Sequence, residues 1–461
     1  MDSAVILAAG TGSRAWPYTG VRRKAALPVA NVPLARRMAL DLLADGIKDI
    51  VVVVDSEGQS VRHVLGDLDG VRFVETPANR GPVDAALHGL AAVSGERVLL
   101  CSGDIVVARG TVRALLDGHR ANKAEATVLA AETPRGLTAS CTTVDVAPDG
   151  WVREIWGGGD ESHPRFGGMA IARTALLTRY LERDPGIMPN VHVGAMPPRE
   201  GDAAFAFEMM RRDGIEVHAV MAPGFFVDVD KPWHIVQANR LAAREAVEAL
   251  ESTLMEEGAR IDDGADIAPN AKLWLGRGAH IGKHCRIGGS AILGAGARAT
   301  CGAILEPGVV MGANARCEEY GKIGEGSVIG PNSIVGHCAE FDGVMFDTVY
   351  LYHYCCVTAL IGTHVDIGAA TVCGTWRFDD GIRAQTVQGR REHPECYGSY
   401  TFIGDYCRTG VNAMFMPGIK VGYYSCVGGG AIVYDDVPER TLLIPKQEHV
   451  MKPWGPEKYG W

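Results

Sequence analysis

The chain has 461 residues, 47% of them hydrophobic and 22% charged, which excludes a disordered or fibrous protein and leaves apolar material for the cores of about two to three domains. A formal net charge of −10, with no long Lys/Arg tract, excludes general nucleic-acid binding, although a local basic site for one small anion stays open. The 12 cysteines contain no CxxC pair and the opening apolar run is too short to cross a bilayer. The expectation is therefore a cytoplasmic protein with no membrane or nucleic-acid partner, whose thiols, Cys355 and Cys356 included, stay reduced.

From Ala4 to about Val220, short β-branched runs alternate with helical segments. The order is a strand near residues 4–8, a helix near 33–45, IVVVV at 50–54, a helix near 83–93, then RVLLCSGD from Arg97. Such alternation implies crossover connections and a mostly parallel sheet covered on both faces, a doubly wound α/β domain assigned to residues 1–231. Ligands in such sheets bind beyond the carboxyl ends of the strands, where the loops after Leu7 and Leu100 would lie.

Residues 232–258 have apolar residues at helical spacing and little Gly, so one linker helix is expected. Over 259–461 the period changes to six. Leu275, Ile281, Ile287 and Leu293 start a phase that continues through Leu305, Met311, Ile323, Ile329 and Val335, with Cys285, Ala291, Ala303, Ala315 and Ser327 as small partners. Such a repeat predicts a solenoid with one short strand and one tight turn per side. Ile261, Ile267 and Leu273 sit two residues out of phase, which predicts a small insertion at Trp274–Leu275. The repeat is broken by residues 376–399, read as a loop thrown out of the solenoid, and loops on rigid repeats often carry function.

The first loop carries the chemistry. Gly10, Gly12 and Ala15 fit a dinucleotide fingerprint, but Trp16, Pro17, Pro28 and Pro33 break the helix it needs, and no acidic residue occurs between Asp2 and Asp41. A GKS/GKT sequence is absent too, which removes the Walker-type ATPase. What remains is a Gly-rich turn offering backbone N–H donors to phosphate oxygens, followed by the cations Arg14 and Lys24.

Gly10, Gly12, Ser13, Arg14, Pro17, Thr19, Lys24, Leu27, Pro28 and Val29 together resemble the signature of the sugar-1-phosphate nucleotidyltransferase family, with Arg23 where that family usually has Pro. The resemblance implies Arg14 and Lys24 as catalytic cations and Leu7, Ala8, Gly10, Thr11, Gly12, Ser13, Asn79 and Gly81 as nucleotide-binding residues. Pro82 replaces the Thr that usually follows the last of these, so the base stays open. It further implies a Mg²⁺ site at Asp104 with Asp228 or Asp230, and sugar binding at Gly167 and Gly168. The substrates implied are a nucleoside triphosphate and a sugar 1-phosphate. The family's Glu-Lys-Pro before the sugar site is VREIWGGGDES here, and Arg153 or Arg165 could supply the missing cation.

The second half resembles a left-handed parallel β-helix of the hexapeptide acyltransferase type, whose members commonly form homotrimers. With IGAATVCGTWRFDDG and YTFIGDYCRTGVNA, the whole chain resembles the bifunctional uridylyltransferase and glucosamine-1-phosphate acetyltransferase family, in its archaeal form. That would add acetyl-CoA as a cosubstrate, with His353 and Asn412 as acyl-transfer candidates, although Tyr352 stands at the family's His position and Thr375 at an Asn. The competing readings are a nucleotidyltransferase with a scaffolding solenoid, a bifunctional enzyme, and a regulatory or assembly subunit with little turnover.

Overall fold

The computed structural model describes residues 3–77, 81–133, 141–158, 162–183 and 201–459. At the centre of the first half, Ser3–Leu7 pairs in parallel with Asp49–Val54 on one side and Arg97–Ser102 on the other, and Val71–Glu75 pairs in parallel beyond Asp49–Val54. Successive side chains of a strand point to opposite faces. Val5, Val51, Val53, Val98 and Leu100 therefore enter one core with the helices Gly81–Ala92, Thr174–Leu181 and Ala204–Arg212, while Ala4, Ile6, Ile50, Val52, Leu99 and Cys101 enter another with Leu34–Ala44, Gln59–Leu65 and Thr111–Asn122. Burial on both faces explains why these strands read as unbroken apolar runs.

The sheet is more mixed than the sequence pattern predicts. Arg165–Arg173 runs antiparallel to Arg97–Ser102, and the register against Ala126–Ala131 shifts between Phe166 and Ala170. Gly168, at φ 66°, sits inside that shift, a backbone conformation costly for other residues.

The linker helix is shorter than expected and is packed on both sides. It spans Pro232–Glu248, with Pro at its first turn, and ends well before residue 258. Beyond it Leu254–Met255 already pairs with Trp274 and Leu275, and Glu256 N–H donates to Leu275 O at 2.9 Å, so sheet pairing overrides helical propensity there. Trp233, Ile235, Val236, Ala238 and Ala242 share one core with Ala15, Tyr18, Leu27 and Val29 of the first half and with Ile292, Val310, Val328, Val344 and Leu360 of the solenoid. The last five lie one coil apart and face outward, forming an apolar stripe that the helix covers.

The solenoid is a left-handed parallel β-helix. Leu275, Leu293, Met311 and Ile329 stack in register, eighteen positions apart, as three six-residue sides per coil require. Ile267 pairs with Ile287 and Ile261 with Ile281, a twenty-residue first coil that places the two extra residues between Ile267 and Leu275. Cys285, Cys317, Cys355, Cys373 and Cys407 are free thiols of the solenoid core. Among the described residues no helix is long and apolar enough to cross a membrane.

Candidate active site

Leu7 and Ser102 are paired at the carboxyl ends of neighbouring strands, and Gly103 N–H donates to Leu7 O at 2.9 Å, so the two loops that follow leave the sheet side by side. The first loop turns at Gly12, φ 71°, where an added Cβ would lie 2.6 Å from Lys24 Cβ. Glycine is required there twice over, by conformation and by space. Thr19 Oγ1 donates to Gly12 O at 2.9 Å and closes the turn. Arg23, the departure from the family pattern, is tied down by Asp55, with Nε donating to Oδ1 at 3.1 Å.

Phe226–Asp228 pairs antiparallel with Ile105–Val107, and Val229 N–H donates to Asp104 O at 2.9 Å, which brings two segments distant in sequence to one point. There Lys24 is buried, with Nζ 2.6 Å from Asp104 Oδ2 and 3.6 Å from Asp230 Oδ1. Burial disfavours its ammonium, but the attraction of Asp104, Asp228 and Asp230 is larger and holds its pKa well above the usual lysine value. Asp228 opens onto the cleft, yet loss of water at the cleft floor and the charge of Asp104 push its carboxyl up to about 6, with Lys24 pulling the other way. Arg14 Nη2 reaches Asp230 Oδ1 at 2.9 Å from a half-exposed position. His234, lowered by burial to about 4, is a neutral ring whose Nδ1 accepts the Asp230 N–H at 3.3 Å.

Two adjoining clefts meet at Arg14, Lys24, Ser102, Asp104 and Asp230. One, of about 590 Å³, is lined by Leu7, Gly10, Thr11, Gly12, Ser13, Thr76, Gly81 and Pro82. The other, of about 350 Å³, is lined by Thr142, Arg165, Phe166, Gly168, Asp202 and Asp228. Most of the expected nucleotide residues thus share one cleft and the sugar candidate Gly168 faces the next. Ala8 is an exception, being buried with its N–H given to Val53 O at 2.9 Å. Gly167 packs behind the cleft, where an added Cβ would come 2.7 Å from Leu129 Cγ. Asn79 lies outside the described residues.

Of the two arginines named for the missing family Lys, Arg153 is exposed on a strand and absent from both linings, whereas Arg165 is buried in the second cleft. Its guanidinium carbon lies 4.4 Å from the centre of the Phe226 ring and Nη2 donates to Phe226 O at 3.2 Å, while Nε has no hydrogen-bond partner among the described residues. Two further lining residues carried no local signal: Asp202, and Gln388 from the excursion out of the solenoid.

His353 and Asn412 occupy one corner of the solenoid, both with positive φ, in a ladder where Ala370 N–H donates to His353 O and Asn412 N–H to Ala369 O. His353 is exposed, with Nδ1 2.6 Å from His337 Nδ1, and His337 Nε2 pairs with Glu319. Tyr352 is turned to Glu318 at 3.5 Å.

Among the described residues no three His, Cys, Asp or Glu side chains form a complete metal-binding group. Magnesium does not demand one, since it usually takes one or two carboxylates together with substrate phosphates and waters. Three mutually repelling carboxylates around one buried cation are a donor set that fits such an ion at Asp104 and Asp228.

The model of the MobA-like NTP transferase domain matches residues 4–260. A bifunctional sugar-1-phosphate nucleotidylyltransferase/acetyltransferase of Sulfurisphaera tokodaii is 24% identical over 94% of this chain and 98% of its own length. The bifunctional protein GlmU of Gloeobacter violaceus is 28% identical over 98% of this chain and 96% of its own. That of Methanococcus maripaludis is 24% identical over 97% and 98%. A solved UDP-glucose pyrophosphorylase from Acinetobacter baumanii covers 53% of this chain and 94% of its own at 16% identity, with a TM-score of 0.45.

Proposed function

Because the chain belongs to the MobA-like NTP transferase domain family, we propose that it joins a nucleoside triphosphate to a sugar 1-phosphate, releasing pyrophosphate and forming a nucleotide sugar. UTP and an N-acetylglucosamine-like sugar 1-phosphate are the favoured pair, as the GlmU relatives over nearly the full length suggest. The observation that carries the reading is the meeting of a Gly-rich phosphate cleft and a second cleft at Lys24, Arg14 and Asp104.

In the reaction a sugar-phosphate oxygen attacks the α-phosphorus in line. The new O–Pα bond forms as the bond to the bridging oxygen breaks, and that oxygen leaves on pyrophosphate. No protein nucleophile is needed. The backbone of Gly10–Ser13 orients the triphosphate, Arg165 positions the incoming phosphate, and Lys24 and Arg14 offset charge that accumulates on the equatorial oxygens. Asp104 and Asp228 would hold Mg²⁺, which when bound would supply Lewis-acid neutralisation of the phosphates. A cytoplasmic setting gives access to nucleoside triphosphates.

The test is a panel of triphosphates against sugar 1-phosphates, read as Mg²⁺-dependent pyrophosphate release. Release with a uridine or other pair supports the proposal, and silence across the panel sinks it. A regulatory subunit without turnover would have no need of Arg14, Lys24, Asp104 and Asp228 assembled at one point.

A second reading adds acyl transfer from acetyl-CoA to an amino-sugar phosphate. Its support is the exposed His353, held by His337 and through it by Glu319, an arrangement suited to orient a base. We also propose a homotrimer built through the solenoid, where Val372, Met414 and Ile432 form an exposed apolar row one coil apart. Sedimentation giving three times 49.1 kDa would support it, and a monomer mass would exclude it.

A further inference from the structure

The excursion 376–399 leaves the solenoid after Cys373, rejoins it at Thr401, and ends in a hairpin, Gln385–Val387 against Arg390–Glu392. Its turn residues Gln388 and Gly389 both have positive φ, 48° and 77°, as a two-residue type I′ hairpin requires. Glycine takes that conformation freely, whereas a glutamine there is uncommon.

The hairpin is held from both sides. The buried Gln385 amide donates to Gly398 O at 2.6 Å and Gly418 O at 2.9 Å, and the buried Lys420 Nζ donates to Gln385 Oε1 at 3.0 Å and Thr386 O at 2.7 Å. Val387 enters the core shared by Tyr18 and Trp233. On the other flank Glu392 pairs with Lys231, the neighbour of Asp230. The tip then falls on the phosphate loop, where Gln388 Nε2 donates to Ser13 Oγ at 2.6 Å and lines the nucleotide cleft with Gly12, Arg14, Lys24 and Asp104.

A carboxamide nitrogen carries two N–H donors, and among the described residues only one is used, by Ser13 Oγ. Gln388 is exposed, so the other is available to an anion in the cleft, and the exposed Arg390 and Arg391 add positive charge beside it. We propose that this hairpin is the outer wall of the triphosphate cleft and that the Gln388 carboxamide binds the phosphates that leave as pyrophosphate. The solenoid then supplies a residue to nucleotidyl transfer instead of only carrying it. This rests on the nucleotidyl-transfer reading for the identity of the ligand.

The full-length chain serves as the test, with Gln388→Ala, Gln388→Glu and Gln388→Asn as variants. Initial rates are taken against the triphosphate and against the sugar 1-phosphate, and binding of inorganic tripolyphosphate is followed by calorimetry with Mg²⁺. Loss of one hydrogen bond to a charged group predicts a rise of about tenfold in the triphosphate KM for Gln388→Ala, more for Gln388→Glu, and partial rescue by Gln388→Asn. The sugar-phosphate KM should stay within about twofold, whereas a merely structural role would move both. If the wild type turns over and both the triphosphate KM and tripolyphosphate affinity of Gln388→Ala are unchanged, the proposal is overturned. If the wild type releases no pyrophosphate with any pair but binds tripolyphosphate, and Gln388→Ala weakens that binding, the wall stands while the nucleotidyl-transfer reading falls.

Discussion

Lys24 Nζ lies 2.6 Å from Asp104 Oδ2, so the cation of the phosphate loop is held by the same carboxylate that fits the metal. In the proposed reaction Mg²⁺ at Asp104 would compete with Lys24 for this carboxylate. Asp104→Asn keeps the shape and removes the charge. We expect kcat to fall by about a hundredfold or more, with a raised Mg²⁺ requirement and a circular dichroism spectrum like that of the wild type. Activity surviving this change would contradict the role given to Asp104.

Arg165 and Arg153 make opposite predictions. Arg165 is buried in the second cleft, its Nε without a hydrogen-bond partner among the described residues, while Arg153 is exposed away from it. Arg165→Lys keeps the charge but loses the planar fork that suits a phosphate, so the sugar-phosphate KM should rise about tenfold. Arg153→Ala should leave both KM values unchanged. Equal effects of the two substitutions would remove Arg165 from the sugar site.

The ease with which the site is read from sequence follows the range of the interactions. Gly12, Arg14 and Lys24 lie in one continuous loop, where spacing and residue type determine the turn, and the six-residue period of Leu275 to Val335 reports the solenoid directly. Asp228 and Asp230 were not separable by sequence, because only the pairing of Phe226–Asp228 with Ile105–Val107 shows Asp230 turned to Arg14. Gln388 is 375 positions from Ser13 and had no local signature at all. The apolar stripe Ile292, Val310 and Val328 did have one, since outward residues of a coil have no reason to be aliphatic unless something covers them.

Tyr18 places a buried hydroxyl across the two halves of the chain, donating to Leu360 O at 2.7 Å. Tyr18→Phe would remove this hydrogen bond between the two halves at little change in packing. The expected loss is about 1 kcal/mol of unfolding free energy, measured by denaturant titration at constant m. A loss below about 0.5 kcal/mol would show that water replaces the hydroxyl and that the interface there is open.

Asp405 gives the interface a pH dependence with a definite sign. It is fully buried, accepts from Arg22 Nη2 at 2.7 Å and from Thr363 N–H at 2.8 Å, and its Oδ2 has no hydrogen-bond partner among the described residues. Burial outweighs the pull of Arg22 and pushes its carboxyl up to about 6. In the unfolded chain the same group titrates near about 3.9. Between those values the native state holds a proton that the unfolded state has lost, so this contribution is fully present below about pH 4 and is lost as pH rises through about 6. The total is at most about 3 kcal/mol. The unfolding free energy of the wild type minus that of Asp405→Asn should therefore fall, in signed terms, from pH 4 to 7, because the amide cannot titrate. A difference that stays flat, or grows with pH, would mean that Arg22 keeps Asp405 ionised throughout and that the interface is a permanent ion pair.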